Sequence, residues 1–251
     1  MTRGIVSATR RGAREIGAEH EVVRALGTAA MTADGLYAAR AGEYVRFVTL
    51  VRYPHALRAW FGAANWLGPG LRVLDAGSGT GIASAALAQA LRSRGFRLAA
   101  LHAFDLTPAM LERGRPALGE IDADDVEFRR ADVLALDTLP STWRGYDVVV
   151  SASMLEYVPR DRFVDALRQL RSRLADDGRL VLFISRRNVL MRLIIERWWH
   201  ARCYDRAELE RALRDAGFHW VTFDRFRGWS VHMNLWGHVV EARVGPEPDT
   251  P

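Results

Sequence analysis

The chain has 251 residues, 49% of them hydrophobic, which fills one large α/β core or two small ones and is too apolar for a disordered protein. Its formal charge is +5, but all 35 basic residues are arginine and 30 acidic residues are interspersed with them, so the balance reads as solvated helix faces and a GC-rich coding bias before a nucleic-acid surface. A single cysteine, Cys203, excludes an internal disulfide and any cysteine metal-ligand spacing; no apolar run reaches the roughly 18 residues of a membrane span, the N-terminus lacks a signal-peptide core, and a cytoplasmic protein is expected.

Residues 1 to 30 read as a charged, amphipathic helical lead-in, and Ala33 to about Asn65 as a second helical region rich in aromatics, among them Tyr37, Tyr44, Phe47, Tyr53 and Trp60. From Leu71 to about Ile184, short apolar runs alternate with segments of helical period, the signature of a parallel sheet with crossover helices. LRVLDA is the first strand, and its helix runs from about Gly81 to Arg94 until Gly95 stops it. RLAALHAFD is the second, followed by Thr107 as N-cap and Pro108 at the first helical position. The third, VEFRRAD, ends at Asp132, and YDVVVSA is the fourth, apolar throughout as a strand covered on both faces should be. The next helix carries Phe163, Leu167, Leu170 and Leu174 at helical spacing and ends near Gly178, before the fifth strand, RLVLFIS.

Beyond residue 185 the rhythm loosens through RRNVLMRLIIERWWHARCY. Asp205 with Glu208 three residues on then predicts a capping box for a helix through Arg214, closed by Gly217. HWVTFDRF and WGHVVEAR are joined too closely for a crossover helix, so these last two strands are antiparallel. The tail GPEPDTP reads as disordered, and there is no internal repeat.

The chemistry concentrates in VLDAGSGTG. Gly77, Gly79 and Gly81 bare the backbone at a strand-to-helix turn, where helix N–H groups face a ligand. The dinucleotide fingerprint would need a glycine where Ile82 stands, and no Gly-Lys-Ser/Thr follows, so pyrophosphate is a poor ligand. Asp75, two residues before Gly77, would repel phosphate but accept hydrogen bonds from an ammonium group. Asp105 ends the second strand, where two acceptor oxygens suit ribose hydroxyls, and Asp132 ends the third, within reach of an exocyclic amine. All three acids fall on the carboxyl edge of the sheet, where open α/β folds bind their ligands.

The runs VLDAGSGTG, FDLTPAML, RRADVLAL, YDVVVSASMLEYVP and LADDGRLVLFIS, in that order, resemble the class I S-adenosylmethionine-dependent methyltransferases, in particular their small-molecule, type-11 domains. The resemblance covers most of the chain from Leu71 onward. It implies an α/β, Rossmann-like class I methyltransferase fold: a seven-stranded mixed sheet with a C-terminal antiparallel β-hairpin and a helical N-terminal cap. The implied divisions are a cap or lid over 1–65, a cofactor-binding domain over 66–244 and a disordered tail over 245–251. By the same resemblance the cofactor is S-adenosylmethionine, with S-adenosylhomocysteine as product and no metal. Asp75, Gly77, Gly79 and Gly81 contact its methionine moiety, Asp105 holds the ribose with Leu106 beside the adenosine, Asp132 and Val133 meet the adenine, and Ser151 lines the pocket near the sulfonium. Tyr37 or Tyr44 is placed to close over it.

The acceptor is less constrained. The Asn/Asp-Pro-Pro-aromatic motif of adenine-amine enzymes is replaced by SASMLEYVP, Cys203 lies in the wrong region for a cytosine-C5 nucleophile, and no carboxylate cluster for a catechol-type metal can be assembled. A small acceptor remains, methylated on O, N or C. Trp198, Trp199, Tyr204, Trp229 and Trp236 suggest an aromatic wall for a flat or lipid-like molecule, with His232 as general base and His200 as second candidate. His102, inside the second strand, reads as structural. NVLMRLIIERWW reads as a cap helix that could also touch an anionic membrane. Rival readings are an RNA or protein methyltransferase, a non-catalytic binder of the cofactor and non-methyl chemistry on the same cofactor; nucleic acid is the less favoured partner, and the oligomeric state stays open.

Overall fold

The computed structural model describes residues 46–191 and 201–245, all within the compact unit Tyr37–Pro251. Tyr37, Tyr44, Trp198, Trp199, His200 and the tail from 246 lie outside the described residues. Twelve principal elements follow in chain order. Helix α1 (Tyr53–Ala63) has Pro54 in its first turn, where a missing N–H costs nothing, and Arg52 before it takes a left-handed φ of 58°. That break separates α1 from the helical turn over 46–50, so the aromatic region is not one continuous helix.

Then come β1 (Leu71–Ala76), α2 (Ile82–Arg92), β2 (Leu98–Asp105), α3 (Pro108–Gly119), β3 (Ala123–Arg130), β4 (Tyr146–Ala152), α4 (Phe163–Arg171), β5 (Leu174–Ser185), α5 (Arg206–Asp215), β6 (Trp220–Asp224) and β7 (Gly237–Arg243). The strands form one sheet in the order β3-β2-β1-β4-β5-β7-β6, parallel through β5, with β7 antiparallel to both β5 and β6. Both the seven-stranded mixed sheet and the terminal hairpin match the sequence-based expectation.

Strand alternation divides the core into two layers. Leu74, Val149 and Leu182 face α4 and α5, while Val73, Val148, Val150 and Val181 face α1 and α2. Helix α1, expected in the cap, buries Ala56, Leu57, Trp60 and Phe61 in the second layer, each large side chain contributing about 2 kcal/mol. The Trp60 indole N–H donates to Asp224 at the end of β6 at 2.8 Å, tying helix to hairpin. No helix among the described residues is long and apolar enough to cross a membrane.

Two boundaries depart from expectation. Strand β3 begins at Ala123 and stops at Arg130, so Asp132 lies beyond it in the following turn. Its acidic start, Ala-Asp-Asp, is tolerated because β3 is an edge strand with charged residues in solvent. Helix α4 ends at Arg171, and Leu174–Gly178 already belongs to β5. Just past the helix end, buried Arg173 donates to the carbonyls of Leu136 and Trp143. The register with β4 then jumps from Tyr146–Leu174 to Val148–Arg179, a bulge in which a Cβ on Gly178 would fall 2.6 Å from the Tyr146 carbonyl. Gly178 is a bulge residue, not a helix stop.

Candidate active site

The strand order reverses between β1 and β4, the switch point where open α/β sheets leave a crevice for ligands. At its floor the chain leaves β1 through Gly77, whose N–H and that of Ser78 donate to the Phe104 carbonyl at 2.8 and 3.0 Å. Gly77 has φ 71°, and a Cβ there would lie 2.2 Å from the Met154 side chain, so both backbone and space demand glycine. Gly79 packs its carbonyl where Gly114 of α3 lacks a side chain, and Gly81, at φ 77°, opens α2 with its first N–H groups facing the crevice.

Asp75 is fully buried behind this loop. Its Oδ2 accepts from the Ser84 hydroxyl at 2.5 Å, while Oδ1 has no hydrogen-bond partner. Burial pushes this carboxyl up to about 6 from 3.8; the Ser84 hydrogen bonds pull it down by less, and the nearby Asp105 charge raises it further. Asp105 bridges the two loops, accepting from Gly79 N–H and Thr107 N–H, each at 2.8 Å. A carboxylate is an acceptor-only group with about four lone-pair sites, the type of group that suits ribose hydroxyls. Leu106 beside it is 41% exposed, an apolar shelf at the crevice. Asp132 accepts from Leu134 N–H at 2.9 Å and stays exposed next to buried Val133. On the β4 side, the buried Ser151 hydroxyl has no partner, and neither do those of Ser78 and Thr80. Buried polar groups are normally paired. Four orphans around one glycine loop therefore fit a ligand with an ammonium group and further polar atoms.

A second cavity adjoins the ends of β4 and β5. Ser153, at a strained φ of 58°, turns the chain out of β4, laying Met154 over the glycine loop and carrying Glu156 into the cavity. Glu156 is 3% exposed, and its Oε1 accepts from Ser185 N–H. Burial pushes it up to about 7 from 4.5, with the Ser185 hydrogen bond the opposing influence. His238 at the start of β7 also lines the space; its Nε2 lies 3.2 Å from the Tyr204 carbonyl, and burial lowers its pKa. Phe47, Val51, Phe183, Phe226 and Trp236 make the remaining wall largely apolar.

Comparison with known proteins bears on this geometry directly: residues 74–180, which hold the glycine loop, Asp75, Asp105 and Glu156, match the family described as Methyltransferase domain. Over those residues, less than half of its length, the chain is similar to that family. Over 137 residues it is 31% identical to the highly reducing polyketide synthase easB of Emericella nidulans, a match spanning 52% of this chain and 5% of that one. Over 120 residues it is 30% identical to the carboxy-S-adenosyl-L-methionine synthase of Pseudomonas putida, spanning 48% of this chain and 47% of the relative. The chain thus covers less than half the length of either. Among solved structures, magnesium protoporphyrin IX methyltransferase from Synechocystis PCC 6803 with bound S-adenosylmethionine has the same fold, with a TM-score of 0.54 and 24% identity over 78% of this chain and 79% of that one.

Among the described residues the expected acceptor residues separate. Trp236 lines the cavity, its ring 5.5 Å from that of Phe47. Tyr204 does not: it is 1% exposed, stacked 4.6 Å from Phe163 under the Arg160 guanidinium, and burial pushes its phenol up to about 12. Its place is in the core, because the approach of α4 leaves an aromatic slot there. Trp229 is half exposed outside the cavity, with Arg52 5.0 Å from its ring. His232 is also outside the lining: Nδ1 lies 3.2 Å from the Trp229 carbonyl and Nε2 3.3 Å from that of Val51, so its ring joins the β6–β7 loop to the chain before α1. Tyr37, Tyr44, Trp199 and His200 fall outside the described residues.

His102 is structural as expected, stacked 4.5 Å from Trp143 and held between Tyr146 Oη at 2.6 Å and Asp125 at 2.9 Å. With Asp125 and Glu127 it makes a ligand-like group between β2 and β3, apart from the cavity lining. Glu156 and His238 are the functional candidates that sequence reasoning passes over. The available signal is a single acid in the apolar run SASMLEYVP directly after a strand.

Proposed function

We propose that the protein transfers a methyl group from S-adenosylmethionine to a small, largely apolar acceptor bound beside Glu156. The observation that carries the reading is the buried Asp75 Oδ1, left without a partner at the foot of a three-glycine loop. An α-ammonium group would satisfy it, with Asp105 taking the ribose hydroxyls, Leu106 the adenosine, Val133 and Asp132 the adenine edge, and the Ser151 hydroxyl facing the reacting end. The cofactor supplies a methyl group on a positively charged sulfonium, already activated for in-line displacement. What remains for this chain is alignment, exclusion of water and management of one proton.

Glu156 manages that proton. Its carboxyl stands in an apolar cavity and is pushed up to about 7, so near neutral pH it can accept the acceptor's proton as the new bond to carbon forms. An acceptor with an acidic O–H, N–H or C–H suits it; the apolar walls favour a small molecule over RNA or protein. The lone buried Cys203 suits a reducing compartment such as the cytoplasm.

Calorimetric titration of the whole chain with S-adenosylmethionine, S-adenosylhomocysteine and NAD tests the cofactor half. Micromolar binding of the first two and none of NAD is expected, with Asp105→Ala weakening both; binding of neither sinks the reading.

A further inference from the structure

Among the described residues six large hydrophobic side chains are prominently exposed, and five of them, Leu50, Val189, Trp229, Val231 and Leu235, stand on segments that frame the acceptor cavity. Single exposed apolar residues are ordinary, but a cluster at the mouth of a cavity is not. Hydrogen bonds and a ring contact join them into one rim. Arg52 lies over the Trp229 ring, His232 Nε2 lies 3.3 Å from the Val51 carbonyl, and the Asn188 amide donates to the Leu235 carbonyl at 2.8 Å. Leu50 and Val189 keep 82% and 88% of their surface, so neither serves the packing of the cavity wall.

Exposed arginines are interleaved with these apolar tips. Arg52, Arg186, Arg225 and Arg227 stand on the same segments, and Arg186 donates to the Asn234 carbonyl at 3.2 Å, inside the β6–β7 loop. Asp224, the acid that leads into that loop, is occupied by the Trp60 indole and lies 3.6 Å from Arg227. Apolar tips alternating with cations match the boundary of an anionic bilayer, where hydrocarbon lies just below a layer of phosphate. An acidic soluble protein would satisfy the arginines and leave the tips in water.

We propose that this rim docks on an anionic membrane surface, so that an amphiphilic acceptor passes from the bilayer into the cavity beside Glu156. The inference rests on the reading of that cavity as the acceptor site, although the docking itself does not need the cofactor.

The test is co-sedimentation of the full chain with vesicles of phosphatidylcholine alone or mixed with phosphatidylglycerol. Binding to the mixed vesicles, weakened by salt and by omission of phosphatidylglycerol, is expected. Leu50→Ser, Val231→Ser and Leu235→Ser combined should lower the partition coefficient about a hundredfold, because three partly inserted side chains are lost. Arg52→Gln with Arg227→Gln, a second variant that leaves the apolar tips in place, should lower it about twentyfold. S-adenosylhomocysteine affinity, measured on the same preparations, should be the same as wild type in both. Failure of the wild-type protein to sediment with mixed vesicles, or sedimentation unaffected by both sets of substitutions, overturns the proposal. Vesicle binding without cofactor binding would support docking and count against the proposed function, so the two are separately readable.

Discussion

Protonation of Asp75 should control cofactor affinity. Its carboxyl is raised from 3.8 to about 6 by burial, and one oxygen has no partner. A ligand ammonium placed on that oxygen makes a charge-assisted hydrogen bond worth about 1.5–3 kcal/mol, or roughly 10- to 150-fold in affinity. The bond needs the ionised acid. Below pH about 6 the free protein holds a proton that binding must expel, so affinity should fall about tenfold for each further pH unit, with about half a proton released per ligand at pH 6. The assay is calorimetric titration with S-adenosylhomocysteine from pH 8 to pH 5, in two buffers of different ionisation enthalpy so that proton release is read directly. Asp75→Asn should bind at least about tenfold more weakly at pH 8 and lose the pH dependence. Wild-type affinity that is flat across this range, or an asparagine variant that binds as tightly, would refute the pairing of Asp75 with an ammonium group.

Glu156→Gln should separate stability from turnover. Because burial raises this carboxyl from 4.5 to about 7, its protonated form stabilises the fold; that contribution is complete below about pH 4.5 and is lost as pH rises through 7. The glutamine variant should therefore be more stable than wild type at pH 8 by up to about 3 kcal/mol, seen as a higher melting temperature, and show no such gain at pH 4. Its methyl transfer should be depressed at every pH, whereas wild-type turnover rises through pH about 7; equal melting at pH 8 would contradict the buried carboxylate. Gly178→Ala puts a Cβ 2.6 Å from the Tyr146 carbonyl in the β5 bulge and should cost about 2 kcal/mol or more in thermal denaturation without altering S-adenosylhomocysteine affinity. An unchanged melting temperature would mean that the bulge relaxes freely.

The parallel half of the sheet is legible in the sequence because strands covered on both faces must be mostly apolar: LRVLDA and YDVVVSA match β1 and β4 residue for residue. The glycine loop is legible for a similar reason, since a backbone at φ 71° against Met154 admits little besides glycine. LADDG is not legible. Two acids and a glycine after a helix look like a terminating turn, and only the buried Arg173 and the register of β4 reveal a bulged strand. Glu156 is hidden for a different reason: an acid in a sequence carries no sign of burial, and its importance comes from Ser153, whose strained turn aims the chain inward. Histidine is a natural choice for a base on chemical grounds, yet His232 is held by two carbonyls at the rim while His238, two residues after Trp236, reaches the cavity because β7 runs beside β5. Tyr204 shows the same limit from the other side: nothing in its neighbourhood along the chain announces that Phe163 will stack on it.

The order β5-β7-β6 also dictates a sequence of events. Strand β6 is synthesised before β7, yet its strand partner is β7, so it has no place on the sheet until residues Gly237–Arg243 have emerged and paired with β5. Those same residues bring His238, with Trp236 just ahead of them, to the acceptor cavity. The glycine loop, Asp75 and Asp105 stand on β1 and β2, and β4 with Met154 completes their surroundings, all of it synthesised ahead of β6. On the ribosome, then, a nascent chain can assemble the donor side of its site well before the acceptor side exists, and any event that interrupts synthesis ahead of β7 leaves a protein equipped to hold a cofactor with nothing to deliver it to.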